Sequence, residues 1–123
     1  MDTFLWVLQA VLAAAFLSAG VMHATQPRER LLTRLPWVED FSASTVRFIG
    51  IMELAGGLGL ILPAATGVAP ILTPIAAAGL AVVMLGALLT HVRRREPGGV
   101  AITAVLLALT VVVAWGRFGP YPF

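Results

Sequence analysis

The chain has 123 residues, of which 59% are hydrophobic and only 11% are charged, and its formal net charge is +2. Soluble domains carry about a quarter of charged residues, so this composition is typical of a membrane protein, and the length predicts one domain, residues 1–123. The absence of cysteine excludes thiol–disulfide chemistry and cysteine-ligated metals, and the small net charge without a basic stripe argues against a nucleic-acid partner.

Four apolar runs predict transmembrane helices at about 3–24, 45–62, 70–91 and 99–116. A helix of about 18 residues reaches ~27 Å, which is enough to cross a hydrocarbon core of ~30 Å with slight thinning. Helices are expected because lipid leaves no partner for unpaired backbone groups. The predicted fold is therefore an all-α, four-helix transmembrane bundle.

The first run has a second interpretation as a cleaved signal peptide. The stretch Phe16–Gly20 contains small residues that a signal peptidase accepts. However, Asp2 stands where a basic residue is expected, and the run is longer than a typical signal-peptide core. We therefore predict a retained first span.

The loop after the first span is the only long one. Pro27 predicts the start of a short helix, in which leucines and arginines alternate until Pro36 ends it. This segment resembles an interfacial amphipathic turn with its arginines toward lipid phosphates. A simple topological anchor explains the same residues.

Arginines in the odd-numbered loops predict the orientation in the membrane. The first loop carries Arg28, Arg30 and Arg34, and the third carries Arg93, Arg94 and Arg95. Because positive loops remain cytoplasmic, both termini are predicted to lie outside, where Arg117 is the only basic side chain. The six loop arginines are also candidates for contact with lipid headgroups or a cytoplasmic partner protein.

Glu53 is the only acidic residue inside the second run and lies ~12 Å from its predicted start, near the middle of the bilayer. Ionisable groups at this depth are costly and usually face the bundle interior. Arg47 lies six positions earlier, which is not an i,i+3 or i,i+4 spacing, and we expect it to reach the headgroups. Partners of Glu53 must come from other helices, and their depth favours Gln9 and Thr110.

Two interpretations of Glu53 stay open at this point. It could make one interhelical hydrogen bond that fixes the packing of the bundle, or it could be a polar anchor or proton relay in a ligand pocket. Small residues such as Ala55 and Gly59 predict close helix packing, including a seam between protomers of a homo-oligomer.

His23 and His91 come at the ends of the first and third runs. Facing histidines at equal depth could bind haem or a transition metal. Their terminal positions and the neighbouring arginines favour ordinary interfacial histidines instead. Neither haem nor a metal site is therefore expected.

The second and third spans resemble the DoxX-like family of small membrane proteins. The resemblance is carried by the run Arg47–Pro63, by Thr66-Gly67 and by Leu72–Gly79. It extends to Phe16–Gly20 and to His91 with its following arginines, and so covers nearly the whole chain.

The resemblance implies a multi-pass protein of the bacterial inner membrane, with Gly50 and Glu53 at positions typical of the family. It also implies an association with oxidoreductase systems, such as thiosulfate–quinone oxidation and oxidative-stress complexes. A thiol-based version of such a role does not suit a chain without cysteine.

Three functions follow as hypotheses. The first is an accessory membrane subunit that binds a quinone-like or other lipophilic molecule and supports a redox partner, with the candidate ligand-binding residues Gln9, Arg47, Gly50, Glu53 and Thr110. The second is a non-catalytic scaffold or assembly factor. The third is a small proton-coupled exporter, although exporters of the small multidrug resistance family carry their glutamate in the first span. No nucleophile–base pair, phosphate-binding glycine loop or zinc motif is present, so no catalytic residue is predicted.

Overall fold

The computed structural model describes all 123 residues and is entirely helical. The helices are α1 (Asp2–Thr25), α2 (Arg28–Arg34), a 3-10 helix (Pro36–Asp40), α3 (Ala43–Thr66), α4 (Leu72–Arg93) and α5 (Pro97–Phe118). The four long helices α1, α3, α4 and α5 are long and apolar enough to cross a membrane. The predicted all-α bundle with four spans is confirmed.

Two polar contacts show which segments share an end of the bundle. Arg94, after α4, lies 3.0 Å from Asp40 in the first loop. Arg117, near the end of α5, lies 2.6 Å from Asp2 at the start of α1. We call the end with loops 26–42 and 94–96 the arginine-rich end, and the end with both termini the terminal end.

A close crossing of glycines joins α1 to α3. A Cβ atom built on Gly50 would lie 2.5 Å from the backbone nitrogen of Ala24, and one on Gly20 would lie 2.9 Å from the carbonyl oxygen of Gly50. Only glycine permits this approach, which is how membrane helices pack without a hydrophobic drive between them. The crossing places the last turns of α1 against the middle of α3.

Buried apolar side chains fill the interior of the bundle in its middle and toward the terminal end. The buried core consists of Leu8, Leu12, Ala13, Phe16, Leu60, Ala77, Leu80, Met84 and Val113. A smaller cluster of Leu31, Val38 and Val46 attaches α2 and the 3-10 helix to α3 at the arginine-rich end. The long helices are less tightly filled between these two clusters, and a cavity lies there.

The second span was predicted to end at about residue 62, but α3 continues through Pro63 to Thr66, and Gly67 caps it with a φ of 73°. A proline inside a helix removes the hydrogen bond to the carbonyl four residues earlier, which here belongs to Gly59. The buried hydroxyl of Thr73 donates to that carbonyl at 2.9 Å. The helix therefore passes the proline because α4 supplies the missing donor.

Replacing Thr73 with valine is expected to destabilise the fold by about 1–3 kcal/mol, because it leaves the Gly59 carbonyl without a partner. Thermal unfolding in detergent measures the loss. The matched control is Thr66→Val, whose exposed hydroxyl donates to Leu62 in its own helix and accepts from the N–H of Val68 in the following turn, without contacting another helix. In a Pro63→Ala background the backbone donor returns, so an equal effect of Thr73→Val there would contradict this account.

Candidate functional site

A cavity of about 710 Å³ lies toward the arginine-rich end, between α1, α3, α4, α5 and the segment around the 3-10 helix. Its lining is mostly apolar, with Trp37 and Phe41 from the first loop and Leu106 from α5 among the lining residues. Small-molecule and cofactor sites typically enclose about 300–1,000 Å³ and present a few polar groups in an apolar lining. The cavity therefore has the size and character of a ligand site.

Glu53 contributes the most deeply buried ionisable side chain of this cavity. Its side chain is held in the middle of α3 and is only 3% exposed. Its Oε1 atom lies 2.5 Å from Nδ1 of His23, which the glycine crossing brings alongside. The edge of the Trp37 ring packs against the imidazole at 5.4 Å between centroids. His23, expected to be an ordinary interfacial histidine, is the partner of Glu53.

The predicted partners of Glu53, Gln9 and Thr110, are wrong. Gln9 donates to the carbonyl of Leu60 at 2.7 Å and accepts from Arg117 at 2.9 Å, far from the cavity. Thr110 donates to a carbonyl of its own helix at 2.9 Å. The reason is a stagger between helices, since α1 ends near the level of Gly50 and not at the level where α3 begins. Counting depth from equal helix ends therefore selected the wrong residues.

A second histidine–carboxylate pair lines the same cavity. Nδ1 of His91, in the last turn of α4, lies 2.8 Å from Oε1 of Glu96, which precedes α5. The His91 ring lies over Gly99, where any Cβ atom would collide with it. The other oxygen of Glu96 accepts from Nε of Arg94 at 3.2 Å.

These contacts also set the charge of Glu96. The hydrogen bond from His91, followed by that from Arg94, holds the pKa of the Glu96 carboxyl below its usual range. Hydrogen bonds to Asp40 and Glu96 raise the pKa of Arg94 further above neutrality. At neutral pH Glu96 is therefore ionised, and Arg94 connects it to the first loop.

A carboxyl group whose pKa is lowered on folding stabilises the fold above its unfolded pKa of about 4.3, and this contribution is lost as pH falls through the lower folded pKa. We therefore expect the Tm to fall on acidification below about pH 4.3 more steeply in the wild type than in Glu96→Gln. Thermal scans in detergent between neutral and strongly acidic buffer measure the difference. Parallel curves for the two proteins would contradict the paired geometry.

The remaining predicted site residues lie outside this cavity. Arg47 is exposed on α3, and Gly50 is buried in the crossing with α1. Among the loop arginines, Arg28 donates to the carbonyls of Phe41 and Glu39 and so holds the first loop together. The exposed members of the six predicted loop arginines are Arg30, Arg34, Arg93 and Arg95.

Sequence reasoning missed a buried cation at the terminal end. Arg117 is 2% exposed and donates to Gln9 at 2.9 Å and to Asp2 at 2.6 Å. The C-terminal tail turns back over the Arg117 side chain. Arg117 donates to the carbonyl of Tyr121 at 3.0 Å, and the ring of Phe123 lies 4.0 Å from its guanidinium.

Comparison with known proteins gives one family. The family model described as the DoxX-like family matches residues 7–113, which include both histidine–carboxylate pairs. No curated protein and no solved structure matches the chain.

Proposed function

This chain belongs to the DoxX-like family, and from that premise we propose that it is an accessory membrane subunit that binds a quinone-like or other lipophilic molecule and supports an oxidoreductase partner. The observation that carries the proposal is the buried Glu53–His23 pair in the wall of a largely apolar cavity. A pair that served packing alone would need no open space beside it. The only hydrogen bond of the His23 ring is made by Nδ1, so Nε2 is free to bond to an oxygen of a ligand.

The exposure of two lining residues supports a ligand that arrives through the lipid. Val82 on α4 is 71% exposed and Ile102 on α5 is 63% exposed, yet both line the cavity. In a bilayer such apolar faces contact acyl chains. A lipophilic molecule could then keep its tail between lipids while its polar head lies beside Glu53.

The proposed setting is the bacterial inner membrane, with the arginine-rich end in the cytoplasm. The support is the excess of arginine in loops 26–42 and 94–96. The redox partner would then meet the exposed Arg93 and Arg95. Because the chain has no cysteine, single replacements Val68→Cys and Arg95→Cys allow the orientation to be tested by labelling of intact cells. Labelling of the Arg95→Cys variant from outside the cell would contradict the proposed orientation and place the arginine-rich end outside.

The ligand proposal predicts that decylubiquinone, a soluble quinone probe, raises the Tm of the purified protein and binds with a measurable Kd. Glu53→Gln should weaken binding about tenfold, because it disturbs the hydrogen bond that orients His23, and one hydrogen bond contributes up to about 1.5 kcal/mol. Arg47→Gln, on the same helix but outside the cavity, is the matched control and should bind as the wild type does.

Two results would reject this function. One is an unchanged Tm with saturating quinone, together with no co-purified quinone or lipid by mass spectrometry. The other is equal binding by the wild type and by a folded Glu53→Gln variant. The second result would leave the interhelical hydrogen bond as the whole role of Glu53.

A further inference from the structure

We propose that the cavity has two hydrogen-bonding positions, and that His91 with Glu96 binds a second oxygen of the ligand whose first oxygen is bound at His23 and Glu53. This inference rests on the proposed function and names the ligand class. The ligand is a flat ring with oxygen atoms at opposite ends, in contrast to a lipid with a single polar head.

The two pairs are built in the same way. In each, Nδ1 of the imidazole is hydrogen-bonded to a carboxylate, and this is the only hydrogen bond that the ring makes within the protein. A carboxylate on one ring nitrogen fixes the orientation of the ring and leaves the other nitrogen for a ligand. That nitrogen can accept from a hydroxyl when the ring is neutral and donate to a carbonyl when it is protonated.

The threonine hydroxyls of the lining are already engaged. The hydroxyl of Thr90 donates to the carbonyl of Gly86 at 2.9 Å, and the hydroxyl of Thr103 donates to the carbonyl of Gly99 at 2.7 Å. The two histidine–carboxylate pairs and the indole N–H of Trp37 therefore remain as the side-chain groups of the lining that can recognise a polar ligand atom, and only the two pairs carry an ionisable group.

The two pairs come from opposite walls of the cavity, His23 and Glu53 from α1 and α3, and His91 and Glu96 from α4 and the start of α5. The close contact between Gly56 and Leu80 sets the level of α4 against α3. Counting along the antiparallel helices from that contact places Val83 opposite Glu53, and His91 about 12 Å nearer the arginine-rich end than Val83. An offset of about 12 Å accommodates one ring with a hydrogen bond of about 2.8 Å at each end.

A purely structural role would not require the His91 ring to line the cavity. Arg94 alone joins Glu96 to the first loop, through Asp40 at 3.0 Å. The His91 ring instead occupies the space that Gly99 leaves free, and so is held in the wall of the cavity. The arrangement fixes the imidazole in place without closing the cavity.

The test compares two probes on the full chain in phospholipid nanodiscs. Decylubiquinone carries ring oxygens at both ends, and a decyl-substituted phenol carries one. His91→Phe and Glu96→Gln should each weaken decylubiquinone about tenfold, the loss expected for one hydrogen bond. Both should leave the Kd of the phenol unchanged, whereas Glu53→Gln should weaken both probes. Arg93→Gln, at the same end of α4, is the control and should change neither Kd.

The outcomes separate the two proposals. Failure of both probes to bind any form of the protein would reject the proposed function itself. Quinone binding that is weakened by Glu53→Gln but unchanged by His91→Phe and Glu96→Gln would overturn the second position alone. An equal loss for quinone and phenol in the His91 and Glu96 variants would also overturn it, because that pattern indicates a general distortion of the cavity.

Discussion

Replacing Gly50 with alanine is expected to prevent stable packing of α1 on α3. The added Cβ atom would lie 2.5 Å from the backbone nitrogen of Ala24 and 2.9 Å from the carbonyl oxygen of Gly20. These are backbone atoms, which cannot rotate away as a side chain can. Overpacking typically costs about 1–3 kcal/mol, and here the cost should reach or exceed the top of that range because a whole helix must move.

The same displacement would separate His23 from Glu53, since both lie three residues from this crossing. Gly50→Ala should therefore lower the Tm in detergent and also abolish the proposed quinone binding by whatever protein remains folded. Gly79→Ala is the matched control, because a Cβ atom there meets no atom within 4 Å. That variant should be as stable as the wild type or gain up to about 1 kcal/mol from helix propensity. Wild-type stability of Gly50→Ala would contradict the crossing.

The number and position of the long helices could be predicted from the sequence because burial in lipid imposes a simple requirement. Each span needs about 20 apolar residues, and the four runs satisfy it independently of one another. The relative levels of the helices carry no such signal. Lipid-facing and buried faces are equally apolar, so no polar stripe marks the inward face of α1 or α3. The prediction of Gln9 as a partner of Glu53 was wrong for this reason.

The contact between His23 and Glu53 also could not be predicted from the residues that neighbour them in the sequence. His23 and Glu53 are separated by 30 positions, and the close contacts of Gly20 with Leu54 and of Gly50 with Ala24 bring them to nearly the same level. One signal was present, since Gly20 and Gly50 each lie within one helical turn of a paired side chain, and glycines in spans favour close crossings. Similarly, the continuation of α3 past Pro63 depends on a hydroxyl supplied by α4. Such compensation arises between elements and not within one.

Replacing Gln9 with leucine is expected to be the most damaging change at the terminal end. Oε1 of Gln9 accepts from Nε of Arg117, and Nη2 of this arginine already lacks a partner. Removing the acceptor leaves a second unpaired donor on a guanidinium that is 2% exposed. Leaving a buried donor unsatisfied costs about 1–3 kcal/mol, and more when the donor is on a charged group such as this guanidinium. Asp2→Asn is the control, because Asp2 is largely exposed and surface ion pairs contribute only about 0–1 kcal/mol.

A double variant tests whether the buried charge itself causes this loss. Combining Gln9→Leu with Arg117→Met removes both partners, and apolar replacements of a buried polar pair are often neutral or stabilising. The double variant should therefore be more stable than Gln9→Leu alone, although the tail loses the guanidinium on which Phe123 packs. Equilibrium unfolding of the wild type, the two single variants and the double variant gives the coupling free energy between Gln9 and Arg117. If the two losses simply add, Arg117 and Gln9 act independently, and the buried hydrogen bond between them does not account for the stability of this end.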